Sequence, residues 1–281
     1  MPEEAPLQRR LGIQALFDFT NIIEAINFAR QNGFGVLEIN LGNIRFGEQL
    51  RRSAERKKIK KFAASARILL TIHALEGPSF FIPSERVRRC AIAELKQTIT
   101  WAEEIGAKNV IIHLGFDMHY GFGRTNRFTH EEFPEYYEKA LFSALAELKS
   151  YARNRTRLCV ENVGGFRFLP SKKTLNKLLG GSLGLCFDLG HITILTEEKK
   201  IEEFAFFQRF QNRIYHAHLH HNNGLKDQHL PLGEGTVDVL PYLQLVVNSQ
   251  ATLVFETRPR ESALASRDYF CQVLLPQIRT G

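Results

Sequence analysis

Leu183-Gly184-Leu185-Cys186-Phe187-Asp188-Leu189, followed by Gly190-His191, carries a pattern that repeats along the whole chain. It is an apolar run of strand length with no polar alternation, and a carboxylate stands near its end. A strand with that character is covered on both faces, as in a parallel sheet flanked by helices. Seven further runs share the apolar, non-alternating character, at residues 11–16, 36–41, 68–74, 109–114, 158–163, 214–219 and 252–257. Longer amphipathic stretches lie between them, bounded by helix signals. Thr20 caps 21–31 with Gly33 beyond, and Pro83-Ser84 leads into 85–105, closed by Gly106. Phe133-Pro134 opens 135–151, and Ser171 opens 172–179 before Gly180-Gly181. Residues 48–64, 200–210, 237–247 and 263–278 complete the helical set. Eight strand-then-helix units in strict alternation predict a single-domain (β/α)8 TIM barrel over residues 1–281. The rival, a doubly wound open sheet, calls for a glycine-rich phosphate loop after the first strand, and Leu16-Phe17-Asp18-Phe19 offers none.

The composition, 281 residues with 44% hydrophobic and 24% charged, excludes disordered and fibrous classes. No apolar run approaches the length of a membrane span, and Met1-Pro2-Glu3-Glu4 lacks the basic start and apolar stretch of a signal peptide. Cys90, Cys159, Cys186 and Cys271 are far apart with no CxxC pair, and three of them sit in apolar or amphipathic stretches where buried thiols are expected, rather than disulfides or a cysteine-based zinc site. A reducing cytoplasm is the expected compartment. The net charge of +7 fits either an anionic partner or lysine-rich outer helices. Its densest stretch, 51–61 (RRSAERKKIKK), falls on the second predicted helix, on the outer ring, and reads as a solvated face rather than a nucleic-acid surface.

The histidines are the most informative feature. His73 and His113 end strands three and four, and His191 follows strand six. His216, His218, His220 and His221 cluster at the end of strand seven, with His229 in the loop beyond, while His119 and His130 lie in the long loop after strand four. None of the ten falls in a predicted helix or at a strand start. In a barrel, strand ends and the loops after them form the catalytic face. Glu161, Asp188 and Glu256 end strands five, six and eight, and Asp227 precedes His229. A carboxylate at the end of an apolar strand is costly to bury unless it is paired or bound to metal. Nitrogen and oxygen donors without sulfur suit a divalent ion, with histidine tilting the choice to zinc or manganese.

These residues resemble the xylose isomerase-like barrels, also called AP endonuclease family 2. His218-Leu219-His220-His221-Asn222 is similar to the family's HLHDN strand-seven signature, and residues 227–235 (DQHLPLGEG) to its DxHxPxGEG loop. Phe187-Asp188-Leu189-Gly190-His191 and Val160-Glu161-Asn162 match the preceding pair. The resemblance implies metal binding by His73, His113, Glu161, Asp188, His191, His218, Asp227, His229 and Glu256, with one to three ions per chain. Endonuclease IV uses the full set for three metals. The sugar isomerases and epimerases centre on one, held by the residues matching Glu161, Asp188, His218 and Glu256. Two departures from endonuclease IV stand out. Gly12-Ile13-Gln14-Ala15-Leu16 lacks the histidine and glycines of its first strand, and Glu76 stands where it has a tyrosine that enters DNA.

The resemblance implies a metal-dependent isomerase or epimerase acting on a sugar or sugar phosphate, with Glu161 and Glu256 bracketing the substrate carbon as proton donor and acceptor. The alternative it carries is an endonuclease IV-like metal-cluster phosphodiesterase cleaving abasic DNA; a carboxylate at position 76 would repel a phosphate backbone and disfavours nucleic acid. The loop 115–133 reads as a lid with an aromatic wall, in which His119, Arg124 and Arg127 could meet substrate, and Arg258 is a further candidate for a substrate phosphate. No membrane partner is expected, and oligomerisation is left open.

Overall fold

The computed structural model describes residues 7–280; the reading of Met1-Pro2-Glu3-Glu4 falls outside them. Eight parallel strands close into a barrel: β1 (Leu11–Ala15), β2 (Val36–Asn40), β3 (Leu69–His73), β4 (Asn109–Ile112), β5 (Arg157–Glu161), β6 (Leu183–Asp188), β7 (Ile214–Leu219) and β8 (Thr252–Phe255). Each pairs with the next in chain order, and β8 closes onto β1 with Leu11 opposite Leu253 and Gly12 opposite Val254. Helices fill the crossovers, so the chain is a single (β/α)8 TIM barrel.

The absence of alternation in the strands has the expected cause: both faces are out of water. Outward residues pack on helices, where Phe187 of β6 meets Phe207 edge-on at 4.8 Å and Phe207 stacks on Phe166 at 5.6 Å. The interior departs from the branched aliphatic filling usual in such barrels. Ile111, Cys159 and Cys186 form a small apolar cluster of their own, and the polar Gln14, Glu38, Thr71 and His216 are buried as well. β2 and β7 are not neighbours, so the contact of Glu38 with His216 crosses the barrel's interior.

Several expected elements shift. The helix predicted at 48–64 is two, Ile44–Arg51 and Ser53–Ala66, because Arg52 is extended between them. Lys57, Lys58, Lys60 and Lys61 of the second are exposed while Ile59 and Ala63 turn inward, which puts the basic run on the outer ring. Asn21, not Thr20, caps the first long helix (Ile22–Gln31): its side chain accepts from Glu24 N, and Thr20 donates to the Glu24 carboxylate instead. The stretch 237–247 becomes helical only from Leu240, and the last helical region begins early, at Arg260. The loop 115–133 holds an exposed antiparallel hairpin, His119–Phe122 against Thr125–Phe128, and a short helix, Thr129–Glu132. That helix contains His130, and a one-turn helix, Leu189–Thr193, contains His191, so two of the ten histidines are helical after all. The cysteines are free thiols; Cys159 and Cys186 are buried, Cys271 is half-buried and Cys90 exposed, so two rather than three are fully buried. Among the described residues no helix is long and apolar enough to cross a membrane.

Phe207 is fully buried between two rings of the barrel-to-helix layer. Phe207→Ala is expected to cost about 3–5 kcal/mol, measurable as a lower midpoint in urea denaturation; a change below about 1 kcal/mol would contradict this packing.

Candidate metal centre

Strand ends deliver most of the site, since a barrel aims the last residue of each strand at one mouth. His73, Glu161 and Asp188 are the last residues of β3, β5 and β6; His113 and Glu256 come one past β4 and β8; His218 is next to last in β7. Glu161 is the hub. Its Oε2 lies 3.3 Å from His73 Nε2, 3.1 Å from His113 Nε2 and 3.6 Å from His218 Nδ1, and its Oε1 lies 3.2 Å from His191 Nδ1. Glu256 Oε2 and Asp188 Oδ2 approach the same His218 Nδ1, at 3.0 and 3.5 Å.

Local structure brings in the rest. Asp188 caps the one-turn helix by accepting from His191 N at 2.7 Å, which carries the His191 ring back over the cluster. Its Nε2 then meets Asp227 Oδ2 at 3.1 Å, and Asp227 Oδ2 also meets His229 Nε2 at 3.2 Å. His229 sits in the left-handed region at φ 50°. It is held there by paired backbone hydrogen bonds between His221 and Leu230 and by the Gly233-Glu234-Gly235 turn, whose Gly233 and Gly235 N–H groups donate to His221 Nδ1. A Cβ on Gly235 would lie 2.3 Å from Asn222 O, so that turn closes only with glycine. Asn162 ties β5 to β6 through both its amide ends, accepting from Asp188 N and donating to Asp188 O.

The structure therefore brings together all nine residues of the implied ligand set. It also adds two that the strand-end pattern does not single out. His220, read only as part of a cluster, has its Nδ1 buried without a hydrogen-bond partner and groups with His191, Asp227 and His229, ligand atoms all within 4.8 Å. Its ring fits because residue 190 is glycine: a Cβ there would stand 1.8 Å from His220 Cε1. Glu38, in the middle of an apolar strand, is fully buried beneath the cluster. The signal for it is present in the sequence, a carboxylate inside an apolar run, but away from the strand end where ligands are expected. His216 and His221 serve elsewhere, His216 in the interior against Thr252 and Glu38, and His221 inside the turn.

The candidates for substrate contact fall differently. Arg258 reaches the mouth, donating to Glu256 Oε1 at 3.0 Å and to Gln14 Oε1. His119 and Arg124 are exposed on the hairpin, and Arg127 pairs with Glu132. His130 anchors that loop, bonded to Asp117 at 2.6 Å and stacked on Phe168.

The donors fit a divalent ion on their own geometry. His191 Nδ1 to Glu161 and Asp188, and His218 Nδ1 to Glu161, Asp188 and Glu256, are close contacts that do not line up as hydrogen bonds, and His191 Nδ1 is left buried without a hydrogen-bond partner. Their ligand atoms fall into groups, such as Glu161, Asp188 and His191, and Asp188, His218 and Glu256, that lie within 4.8 Å of one another, close enough to share an ion. Several rings are tied at the far nitrogen, as ligating imidazoles usually are. His73 Nδ1 donates to Ala74 O and His229 Nδ1 to Glu256 O, which turns each Nε2 toward the cluster.

Residues 26–272 match the model of the xylose isomerase-like TIM barrel family. The chain belongs to that family. A curated relative, the uncharacterized protein MJ1311 of Methanocaldococcus jannaschii, is 24% identical over 206 residues, which cover 68% of this chain and 64% of that one. The chain thus spans a little under two thirds of that relative's length, and between half and three fifths of two others. Among solved structures, a D-tagatose 3-epimerase-like protein superposes with a TM-score of 0.74 at 20% identity, covering 96% of this chain and 98% of that one. The TTHB071 protein of Thermus thermophilus, in crystals soaked with ZnCl2, gives 0.70 at 23% identity, covering 95% and 98%.

The site of this xylose isomerase-like barrel is strongly coupled to protons. Burial alone would lower the pKa of His73 and His229, but Glu161 bonded to the first and Asp227 bonded to the second raise both to about 9. Burial also opposes His191, and Asp188, Asp227 and Glu161 override it to hold that imidazole well above its usual value. Glu161 and Asp188 would be raised by burial, yet the imidazoles around them keep both carboxyls well below their usual range. Protons on the rings therefore do the work of a cation. Groups whose pKa is raised on folding stabilise the fold fully below their unfolded value of 6.5, and lose that contribution as pH rises through about 9. Metal-free protein is expected to lose thermal stability between pH 6.5 and 9, while zinc-loaded protein retains it because neutral imidazoles are the ligand form. Calorimetric melts of both forms check this, and a flat metal-free profile would contradict it.

Proposed function

We propose that the protein is a divalent-metal-dependent enzyme of the isomerase or epimerase type, acting on a sugar or sugar phosphate, with zinc or manganese as the ion and one to three per chain. The observation that carries the metal dependence is the crowding of imidazoles and carboxylates, out of hydrogen-bond alignment, around Glu161 and His218. A bound ion would polarise substrate oxygens and stabilise the charge that develops on them. D-tagatose and xylose, in the names of a structural neighbour and of the family, support a sugar as the substrate class.

The barrel mouth supports the same class. A cavity of about 410 Å³ opens beside His229 and Glu256 and is lined also by Phe17, Asn40, Glu76 and Arg258. A larger cavity, about 630 Å³, lies beside the helix Glu197–Arg209; none of the nine ligands lines it, so the mouth is the better substrate site. Asn40, Glu76 and Arg258 offer hydrogen-bond partners of both kinds to a polyhydroxy compound, and Glu76 opposes a phosphodiester backbone. Glu256 faces the cavity with Oε1 held by Gln14 and Arg258, which makes it the group placed to move a substrate proton. Glu161, surrounded by rings, acts with it only where substrate reaches past His73 and His113. Arg258 is the residue placed to meet a phosphate substituent, and a cytoplasmic setting accords with four free thiols.

One observation favours a second reading. Glu161 presents one oxygen to His73 and His113 and the other to His191, so both its oxygens would be available to hold more than one ion, and multi-ion sites suit phosphate-ester hydrolysis. Elemental analysis of protein purified in metal-supplemented buffer is expected to find at least one equivalent of zinc or manganese per chain, with His218→Ala and Glu161→Ala greatly reducing it. A panel of keto- and aldo-sugars and their phosphates is expected to show interconversion that chelator abolishes. Chelator-sensitive nicking of an abasic-site oligonucleotide, with no sugar turned over, would establish the hydrolase instead.

A further inference from the structure

We propose that Glu38 is a positioning residue that selects which nitrogen of His218 faces the metal centre, an inference that rests on the metal-dependent reading above. Glu38 lies in the third position of β2, one layer below the cluster, and none of its side chain is exposed. A carboxylate so buried is stable only when its oxygens are satisfied, and hydrogen bonds from three residues on three strands supply that, with the His216 ring close beside them. Oε1 accepts from His218 Nε2 at 3.0 Å and from Gln14 Nε2 at 2.9 Å. Oε2 lies 2.8 Å from His216 Nε2 and accepts from Thr71 Oγ1 at 3.4 Å. The strand register makes this arrangement: Gln14 and Thr71 are the residues directly opposite Glu38 on the two neighbouring strands.

An imidazole that gives its Nε2 proton to a carboxylate keeps a bare Nδ1 when neutral. His218 Nδ1 is the atom that faces Glu256, Asp188 and Glu161, at 3.0, 3.5 and 3.6 Å. Glu38 therefore fixes both the tautomer and the ring plane of a residue it touches only from behind. Gln14 extends the arrangement. Its one amide nitrogen donates to Glu38 and also to Glu256 Oε1 at 3.0 Å, so the buried carboxylate and the cavity-facing one are set relative to each other. The residue that departs from the endonuclease IV pattern in the first strand is the one that joins the two layers.

Glu38→Gln tests this, because it keeps the side chain's shape but leaves one acceptor oxygen where two imidazoles converge. Metal-free wild type, Glu38→Gln, His218→Ala and the double variant are titrated with Co2+ and, by chelator competition, with Zn2+, after circular dichroism has shown each folded. Glu38→Gln is expected to weaken the affinity about 10- to 100-fold and to alter the visible Co2+ spectrum. Because it acts through His218, the double variant is expected to bind no more weakly than His218→Ala alone. Wild-type affinity and spectrum in folded Glu38→Gln would overturn the proposal, as would additive losses in the double variant. Failure of the wild type to bind either ion would instead overturn the metal-dependent reading. Should Glu38→Gln not fold, imidazole 15N NMR of zinc-loaded wild type decides: His218 protonated at Nε2 is expected, and protonation at Nδ1 overturns the proposal.

Discussion

Glu38, Glu161, Asp188 and Glu256 are buried carboxylates in one end of one barrel, with Asp227 beside them. Their mutual repulsion in a poorly solvated space is the constraint that the rest of the site answers. Every one of them is met by at least one imidazole, and Glu161 is met by four. A ring can meet that charge as an imidazolium or as the neutral ligand of a cation, and the shifts of His73, His191 and His229 show how far the site leans on positive charge. The same arrangement makes the mouth a store of negative charge that a divalent ion would neutralise, which links stability to chemistry.

Around this constraint the fold supplies rigidity rather than reactivity. Asn162 locks the ends of β5 and β6, and its amide also reaches Glu203, which pairs with Arg167; Arg167 in turn donates to His191 O. The glycine turn around His221 fixes His229 from the other side. Beneath, Gln14, Glu38, Thr71 and His216 fill part of the barrel with buried polar groups, where aliphatic side chains would ordinarily pack. Each support is one residue removed from the centre, and together they hold long side chains in single orientations.

The barrel was legible because its signal is collective. Eight apolar runs alternating with amphipathic stretches leave little choice of architecture, and a misplaced helix boundary such as that at Arg52 does not disturb it. The gathering of histidines and carboxylates on one face was legible because strand ends and the loops after them share that face, while the choice of nine of them as a ligand set came from the resemblance. The parts played by His220 and Glu38 were not legible. His220 matters through its closeness to His191 and Asp227, which are far from it in sequence, and Glu38 through contacts across the barrel. The hairpin in the loop 115–133 was hidden for a related reason: an exposed strand pair without apolar alternation looks like any polar loop.

The sequence by itself determined the fold, the face on which the chemistry gathers, and the types of donor found there, since hydrophobic period and strand termini are local properties of the chain. Only the tertiary structure decided which donor meets which. Closing a sheet into a barrel sets strand register and brings β2 opposite β7, so that Glu38 supports His218 and Glu161 becomes shared among four rings. Those pairings depend on the geometry of closure, and no stretch of residues carries that geometry alone.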